Sequence, residues 1–210
     1  ALMGMSKPML FDGANNFVTL DSSIAITNAQ WTLSGWYYFK SFSDPQGYPH
    51  LFSLDATSVS YIRVKNDGSE IYLETDSNGD DATLAFTTAL SINTWYHIVV
   101  TRNGDVWGSY LNGTYKAFGD GTSGGNSLTI DRFGGEGNDS RTLNGLINEV
   151  SIWDDVLTLA EVQELFNDGV PLDATTHSAS DDDLVGYWRN DGASSWEDRE
   201  GSNDGTPAGS

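Results

Sequence analysis

The stretch from Gly145 to Gly169, GLINEVSIWDDVLTLAEVQELFNDG, carries an alternating strand straight into the one convincing amphipathic helix of the chain. Period two gives way to period 3.6 at Asp154 and Asp155. Alternation from Gly145 to Trp153 divides the side chains into Leu146, Asn148, Val150 and Ile152 on one face and Ile147, Glu149, Ser151 and Trp153 on the other. Both sets include bulky apolar residues, which predicts an interior strand. Thr158 reads as a helix N-cap, because Glu161 stands three residues later as a capping box requires. Leu159, Val162, Leu165 and Phe166 form one apolar stripe expected to face a sheet, and Gly169 followed by Val-Pro is expected to end the helix.

The rest of the chain reads as short strands separated by turns. Asn66-Asp67-Gly68, Asn103-Gly104 and Asn112-Gly113 supply the positive φ angles that tight hairpins demand. The two glycine-rich stretches 119–126 and 131–141 read as loops. With 210 residues, 12% aromatics, 23 glycines and 7 tryptophans, the chain suits one large β-sandwich and not a disordered segment. Residues 1–172 are assigned to the sandwich, 173–183 to an acidic linker, and 184–210 to a closing strand of the same domain or the start of a following module. No apolar run approaches the ~18 residues of a membrane-crossing helix, so no membrane insertion is expected. The opening Ala-Leu-Met-Gly-Met lacks the positive start of a signal peptide and reads as a cut or processed end.

Thirty acidic against ten basic residues give a formal net charge of -20. Nucleic acid is excluded as a partner of the domain as a whole, because phosphate binding depends on clustered Lys and Arg. The absence of cysteine removes disulfide and thiol chemistry without deciding the compartment.

Six motifs occur in order: Leu10-Phe11-Asp12-Gly13, Phe17 to Leu20, Trp31 to Trp36, Trp95 to Arg102, Tyr110 to Gly113, and Gly145 to Leu165. Together, over roughly Met9 to Pro171, they resemble laminin-G-like and pentraxin-like modules of the concanavalin A-like lectin/glucanase superfamily. The resemblance implies an all-β fold, a jelly-roll sandwich of two antiparallel sheets with one short peripheral α-helix. It does not by itself imply an activity, because such a fold hosts binders, enzymes and spacers.

Three chemistries follow as candidates. Asp131, Glu136, Asn138 and Asp139 offer oxygen ligands within nine residues, and their loop matches in position the calcium loop of pentraxins, so Ca²⁺ is a candidate cofactor there. The partner pair that pentraxins carry on an earlier loop falls near Ser58 to Tyr61, which has no carboxylate, although Asp55 is close by. For sugar stacking the candidates are Tyr37, Tyr38, Phe42, Tyr48, Tyr72 and above all Trp107, whose neighbour Gly108 is expected to leave its ring partly open, with Asp55 as a further ligand-binding candidate. No catalytic residue is assigned. Glucanases of the superfamily need carboxylates at alternate positions of one strand, whereas Glu149 is followed there by Ser151 and Trp153. The sequence is therefore read as a non-enzymatic recognition or adhesion module, extracellular or on a cell or virion surface, within a larger surface or fibre protein. Its expected partners are a glycan or surface protein, with neighbouring modules or a second copy of the chain. A purely structural spacer is the alternative, and a glycoside hydrolase or lyase the third reading.

Overall fold

The computed structural model describes residues 7–27, 29–43, 48–53, 60–74, 82–120, 128–136, 141–190 and 195–208. Two seven-stranded antiparallel sheets face each other. The first contains β1 (Met9–Asp12), β3 (Gln30–Ser41), β8 (Trp95–Asn103), β9 (Val106–Leu111), β10 (Thr114–Asp120), β12 (Asn144–Trp153) and β13 (Leu184–Trp188). Its order is β1-β12-β3-β8-β9-β10, with β13 also paired to β12. The second contains β2 (Phe17–Ile26), β4 (His50–Ser53), β5 (Tyr61–Val64), β6 (Glu70–Glu74), β7 (Ala82–Ala85), β11 (Leu128–Phe133) and β14 (Gly205–Ala208). Its order is β14-β2-β11-β4-β5-β6-β7.

Alternation drives the inner faces together. Leu33, Tyr37 and Phe39 of β3, Ile98 and Val100 of β8, Ile62 and Val64 of β5, and Ile71 and Leu73 of β6 all enter one buried cluster between the sheets. Trp188 and Trp196 join it, and Trp188 Nε1 donates to the Asn203 carbonyl at 2.8 Å. The C-terminal segment thus contributes β13 to one sheet and β14 to the other. Pro207, which has no N–H to offer a further strand, sits in β14 at a sheet edge.

One strand departs from strict alternation. Glu149 adopts φ 52°, in the left-handed region, and the β12–β3 register shifts between Asn148 and Ser151. Two residues of β12, Glu149 and Val150, therefore oppose Gly35 alone, a β-bulge. The extra residue resets the period: Ile147, Val150 and Ile152 share the inter-sheet core, although strict alternation had put Ile147 on the opposite face. Trp153 points the other way, under the helix.

The helix α1 (Leu159–Phe166) lies on the outer face of the first sheet, and both bonds of the capping box between Thr158 and Glu161 are made. Val162 and Leu165 are buried with Leu157, Val99 and Trp153. Leu159, expected in that stripe, is 47% exposed. Leu157 replaces it: as the residue before the cap it lies in the same buried cluster as Val162, four positions into the helix, in the manner of a hydrophobic staple. The helix ends at Asn167, with φ 46° and ψ 53°, whose N–H bonds the Gln163 carbonyl. Asparagine tolerates the left-handed conformation well enough to serve where Gly169 was expected.

Residues 173–183, expected as a linker, fold against α1. A 3₁₀ turn (Ala174–Thr176) and the single turn α2 (Ser180–Asp183) follow one another, with Ala174 and His177 buried. His177 Nδ1 accepts from the Ala179 N–H at 3.1 Å, so its Nε2 carries the proton and donates to the Glu161 carbonyl at 3.0 Å.

The two helix positions give a paired prediction. Leu165→Ala should cost ~2–5 kcal/mol in denaturant unfolding, as buried leucine truncations do, whereas Leu159→Ala should stay within about 0.5 kcal/mol of the parent. Equal costs would mean that the helix docks on a different face.

Candidate functional site

The outer faces of the two sheets differ. Residues of α1 and of 173–183 cover the first, while among the described residues no helix lies on the second. With Ile62, Val64, Ile71 and Leu73 committed to the core, Tyr61 and Arg63 of β5 and Glu70 and Tyr72 of β6 project from that second outer face. The register sets His50 opposite Arg63 and Arg63 opposite Tyr72, so these side chains form one row across three strands.

Arg63 sits at the centre of an aromatic box. Its guanidinium carbon lies 4.3 Å from the Tyr61 ring centroid, 4.7 Å from that of Tyr48 and 5.6 Å from that of Tyr72. Tyr48 meets Tyr72 edge-on at 5.9 Å, and His50 stacks on Tyr61 at 5.1 Å. Tyr72 is held by its hydroxyl, which donates to Glu70 at 2.7 Å, and Lys65 reaches the same carboxylate at 3.1 Å. The hydroxyl bond of Tyr72 and then the ammonium of Lys65 hold Glu70 below the usual carboxylate range.

The polar atoms of this row are unevenly matched. Arg63 makes no hydrogen bond or ion pair among the described residues, and its Nε is buried. Both ring nitrogens of His50 are likewise buried without a partner there. Burial first, then the guanidiniums of Arg63 and Arg141, hold the His50 imidazole well below its ordinary pKa, so it is neutral. Arg141 is tied in from the β11–β12 connection, its carbonyl accepting from the His50 N–H at 3.0 Å and its guanidinium 3.3 Å from Glu136.

Of the residues singled out from the sequence, Tyr48 and Tyr72 are part of this box. Trp107 is not: it is 1% exposed, packs edge-on against Trp31 at 5.3 Å and lies under the Arg102 guanidinium at 4.7 Å. Pairing with Arg102 directs its ring into the inter-sheet core, and the space beside Gly108 belongs to Thr101, whose Oγ1 would lie 2.7 Å from an added Cβ. Asp55, Asn138 and Asp139 lie outside the described residues. Asp131 belongs to β11 and not to a loop, 3.9 Å from Arg132, while Glu136 faces Arg141. Each of these two carboxylates has a guanidinium beside it, a poor start for a Ca²⁺ shell, and among the described residues no three His, Asp or Glu side chains converge as metal ligands.

Two further groups resemble reactive ones and are packed otherwise. Ser34 Oγ and His97 Nε2 are 2.8 Å apart, but both residues are buried and the imidazole packs against both Trp36 and Phe166. Its Nδ1 has no partner to orient it as a nucleophile's base would need. Glu149 accepts from the Tyr187 hydroxyl, lies 3.6 Å from Arg189 and is 5% exposed.

The outward facing of Tyr61 and Arg63 was within reach of the sequence. Tyr61-Ile62-Arg63-Val64 alternates cleanly, and with Ile62 and Val64 inward the other two had to face out. The clustering of three tyrosines around one arginine depends on pairing that only the folded chain supplies.

A model of the concanavalin A-like lectin/glucanases superfamily, of laminin G type, matches residues 12–163. No curated protein matches the sequence. Among solved structures, a proposed carbohydrate-binding protein from Bacteroides ovatus aligns over 99% of this chain and 59% of its own, at 18% identity and TM-score 0.70. The chain therefore spans less than two thirds of that protein. The heptameric SAP-like pentraxin of Limulus polyphemus aligns over 91% of this chain and 95% of its own, at 16% identity and TM-score 0.62. The binding domain of botulinum neurotoxin serotype D aligns over 79% and 47%, at 14% identity and TM-score 0.51. At these identities the likeness is one of fold.

The buried histidines predict an acid response. Burial lowers the His97 pKa to about 3 in the folded protein, against ~6.5 in an unfolded chain. The folded state thus binds fewer protons, so stability is full above that unfolded value and is lost as pH falls toward 3. Each such histidine should contribute a slope of ~1.4 kcal/mol per pH unit. Denaturant unfolding between about pH 6.5 and 5, above most carboxylate titration, should show this loss, and a flat profile would mean that His50 and His97 are charged when folded.

Proposed function

The chain belongs to the laminin-G-like family of the concanavalin A-like lectin/glucanase superfamily, and from that premise we propose that it is a non-enzymatic recognition module that binds glycans on the outer face of its second sheet. The observation that carries this reading is the aromatic box of Tyr48, Tyr61 and Tyr72 around Arg63, on the sheet face that α1 does not cover. Sugar rings present apolar C–H faces to aromatic rings and hydroxyl edges to planar polar groups, and this row supplies both kinds of contact. Its semi-exposed rings are fixed in place before a ligand arrives, Tyr72 by Glu70 and Tyr48 by Arg63 and Tyr72, which spares ordering cost on binding. The Bacteroides ovatus protein of the same fold is itself a proposed carbohydrate binder. We place the module outside the cell, on a cell or virion surface, as one part of a larger surface or fibre protein. Glu149, the one carboxylate on a strand that resembled a glucanase signature, is occupied by Tyr187 and Arg189 and takes no part in binding.

A glycan-array screen followed by calorimetry tests the reading. Tyr48→Ala should weaken binding about tenfold or more, since a lost aromatic contact forfeits on the order of 1.4 kcal/mol, while leaving the melting temperature near the parent's. Trp107→Ala should do the reverse, costing ~3–5 kcal/mol of stability with affinity intact in whatever fraction stays folded. Failure to bind any glycan would favour the spacer reading, and release of reducing ends would favour the enzyme.

A further inference from the structure

The face described above holds one guanidinium that rings, and not an acid, surround among the described residues, and that names a ligand class. Resting on the glycan-binding reading, we infer that the sugar bound here is acidic, and that Arg63 is the group that reads its anion. The protein has three acidic residues for every basic one, 30 against 10. In such a chain a guanidinium finds a carboxylate easily, and its neighbours on this face have done so: Lys65 pairs with Glu70 at 3.1 Å and Arg141 with Glu136 at 3.3 Å. Arg63 has no carboxylate partner among the described residues. Tyrosines surround it instead, and ring contacts satisfy none of its N–H donors.

A buried donor without an acceptor costs stability, so the arrangement is expensive unless something supplies the acceptor. Arg63 Nε is such a donor, and His50, which stands opposite it in the β4–β5 ladder, has both ring nitrogens, one donor and one acceptor in the neutral imidazole, buried without a partner among the described residues. A neutral hydroxyl would satisfy one donor. A carboxylate or sulfate ester would satisfy two donors of the fork together and meet its charge, in bonds roughly twice as strong as neutral ones. His50 is completely buried and stacked on Tyr61, so it positions that ring. The net charge of -20 works against anions at long range. Attraction must therefore be local, which makes the site selective for a sugar that brings its anion into contact with Arg63 while a ring stacks on Tyr48 or Tyr72.

Calorimetry on the whole chain at about 0.15 M salt, where repulsion beyond ~8 Å is screened, tests this with matched neutral, uronate and sulfate-ester forms of the same oligosaccharides. The acidic forms should bind at least tenfold more tightly than the neutral ones, and the uronate and sulfate arms identify which anion is read. Arg63→Gln should abolish that preference while keeping weak binding of the neutral form. Arg63→Lys, which keeps the charge and loses the planar fork, should retain a reduced preference; it also serves if the glutamine variant does not fold. Neutral forms bound as tightly as acidic ones would overturn the inference and leave glycan recognition standing. A preference for acidic forms unchanged in both Arg63 variants would place the anion elsewhere and also overturn it. No binding of any form would remove both.

Discussion

The docking of one short helix decides which face of this sandwich is left to meet a ligand. A two-sheet sandwich has two outer faces, and α1 covers only the outer face of the first. Its position is fixed at both ends. Thr32 Oγ1 donates to the Asp155 carbonyl at 2.9 Å and accepts from the Leu157 N–H at 2.9 Å, pinning the β12–α1 connection to β3. At the other end Gly113, with φ 70°, lets the β9–β10 hairpin approach so closely that an added Cβ would lie 2.9 Å from Phe166. Between these points the capping box and the burial of Leu157, Val162 and Leu165 hold the helix down. The first sheet is thereby covered in part on its outer face as well. The second sheet keeps a polar outer face on which Tyr61, Arg63 and Tyr72 stand.

The bulge at Glu149 belongs to the same arrangement. β12 pairs with β1 over Met9 to Asp12 and with β13 over Leu184 to Trp188, and the bulge falls between those two partners. Placing a non-glycine residue at positive φ costs energy, and the side chain so directed enters a buried group with Tyr187 and Arg189. Arg189 in turn lies 3.3 Å from Asp173, which caps the 3₁₀ turn behind it. The ionic network therefore ties the closing strand β13 to the segment that covers α1. Removing Arg189 would take the cation away from the buried Glu149 carboxylate.

Much of the architecture was legible because it depends on local rules. Alternation located the strands, Asn-Gly located the β9–β10 hairpin, and Thr158 with Glu161 located the helix start. What was not legible depended on partners distant in sequence. The bulge at Glu149 arises where β12 changes neighbours, and nothing local to Asn148-Glu149-Val150 announces it. Leu159 fitted the helical stripe yet lost its place to Leu157, because the chain enters the helix from a turn pinned by Thr32. Trp107 looked open beside Gly108, and the cross-strand register turned it inward. The strand β14, with its proline, is not announced by local alternation and is made by its pairing with Val18 and Thr19 of β2. At the candidate site Tyr48 and Tyr72 were recognisable as candidates for sugar stacking, but the row with His50 and Arg63 is made by the pairing of β4, β5 and β6.

Charge and chemistry operate here on different length scales. A surplus of twenty negative charges is a property of the whole surface, and at physiological salt its reach is about 8 Å. Inside the aromatic box the contacts of the Arg63 guanidinium among the described residues are tyrosine rings. Cation–π contacts worth about 0.5–2 kcal/mol each hold the guanidinium in place without neutralising it. A site built this way rejects diffuse anionic surfaces, which meet the global field first, and accepts a small anionic group presented on a sugar ring that can also stack. The same box would give a polyanion such as nucleic acid little to hold, because one guanidinium without a surrounding basic patch cannot release the counterions on which such binding depends.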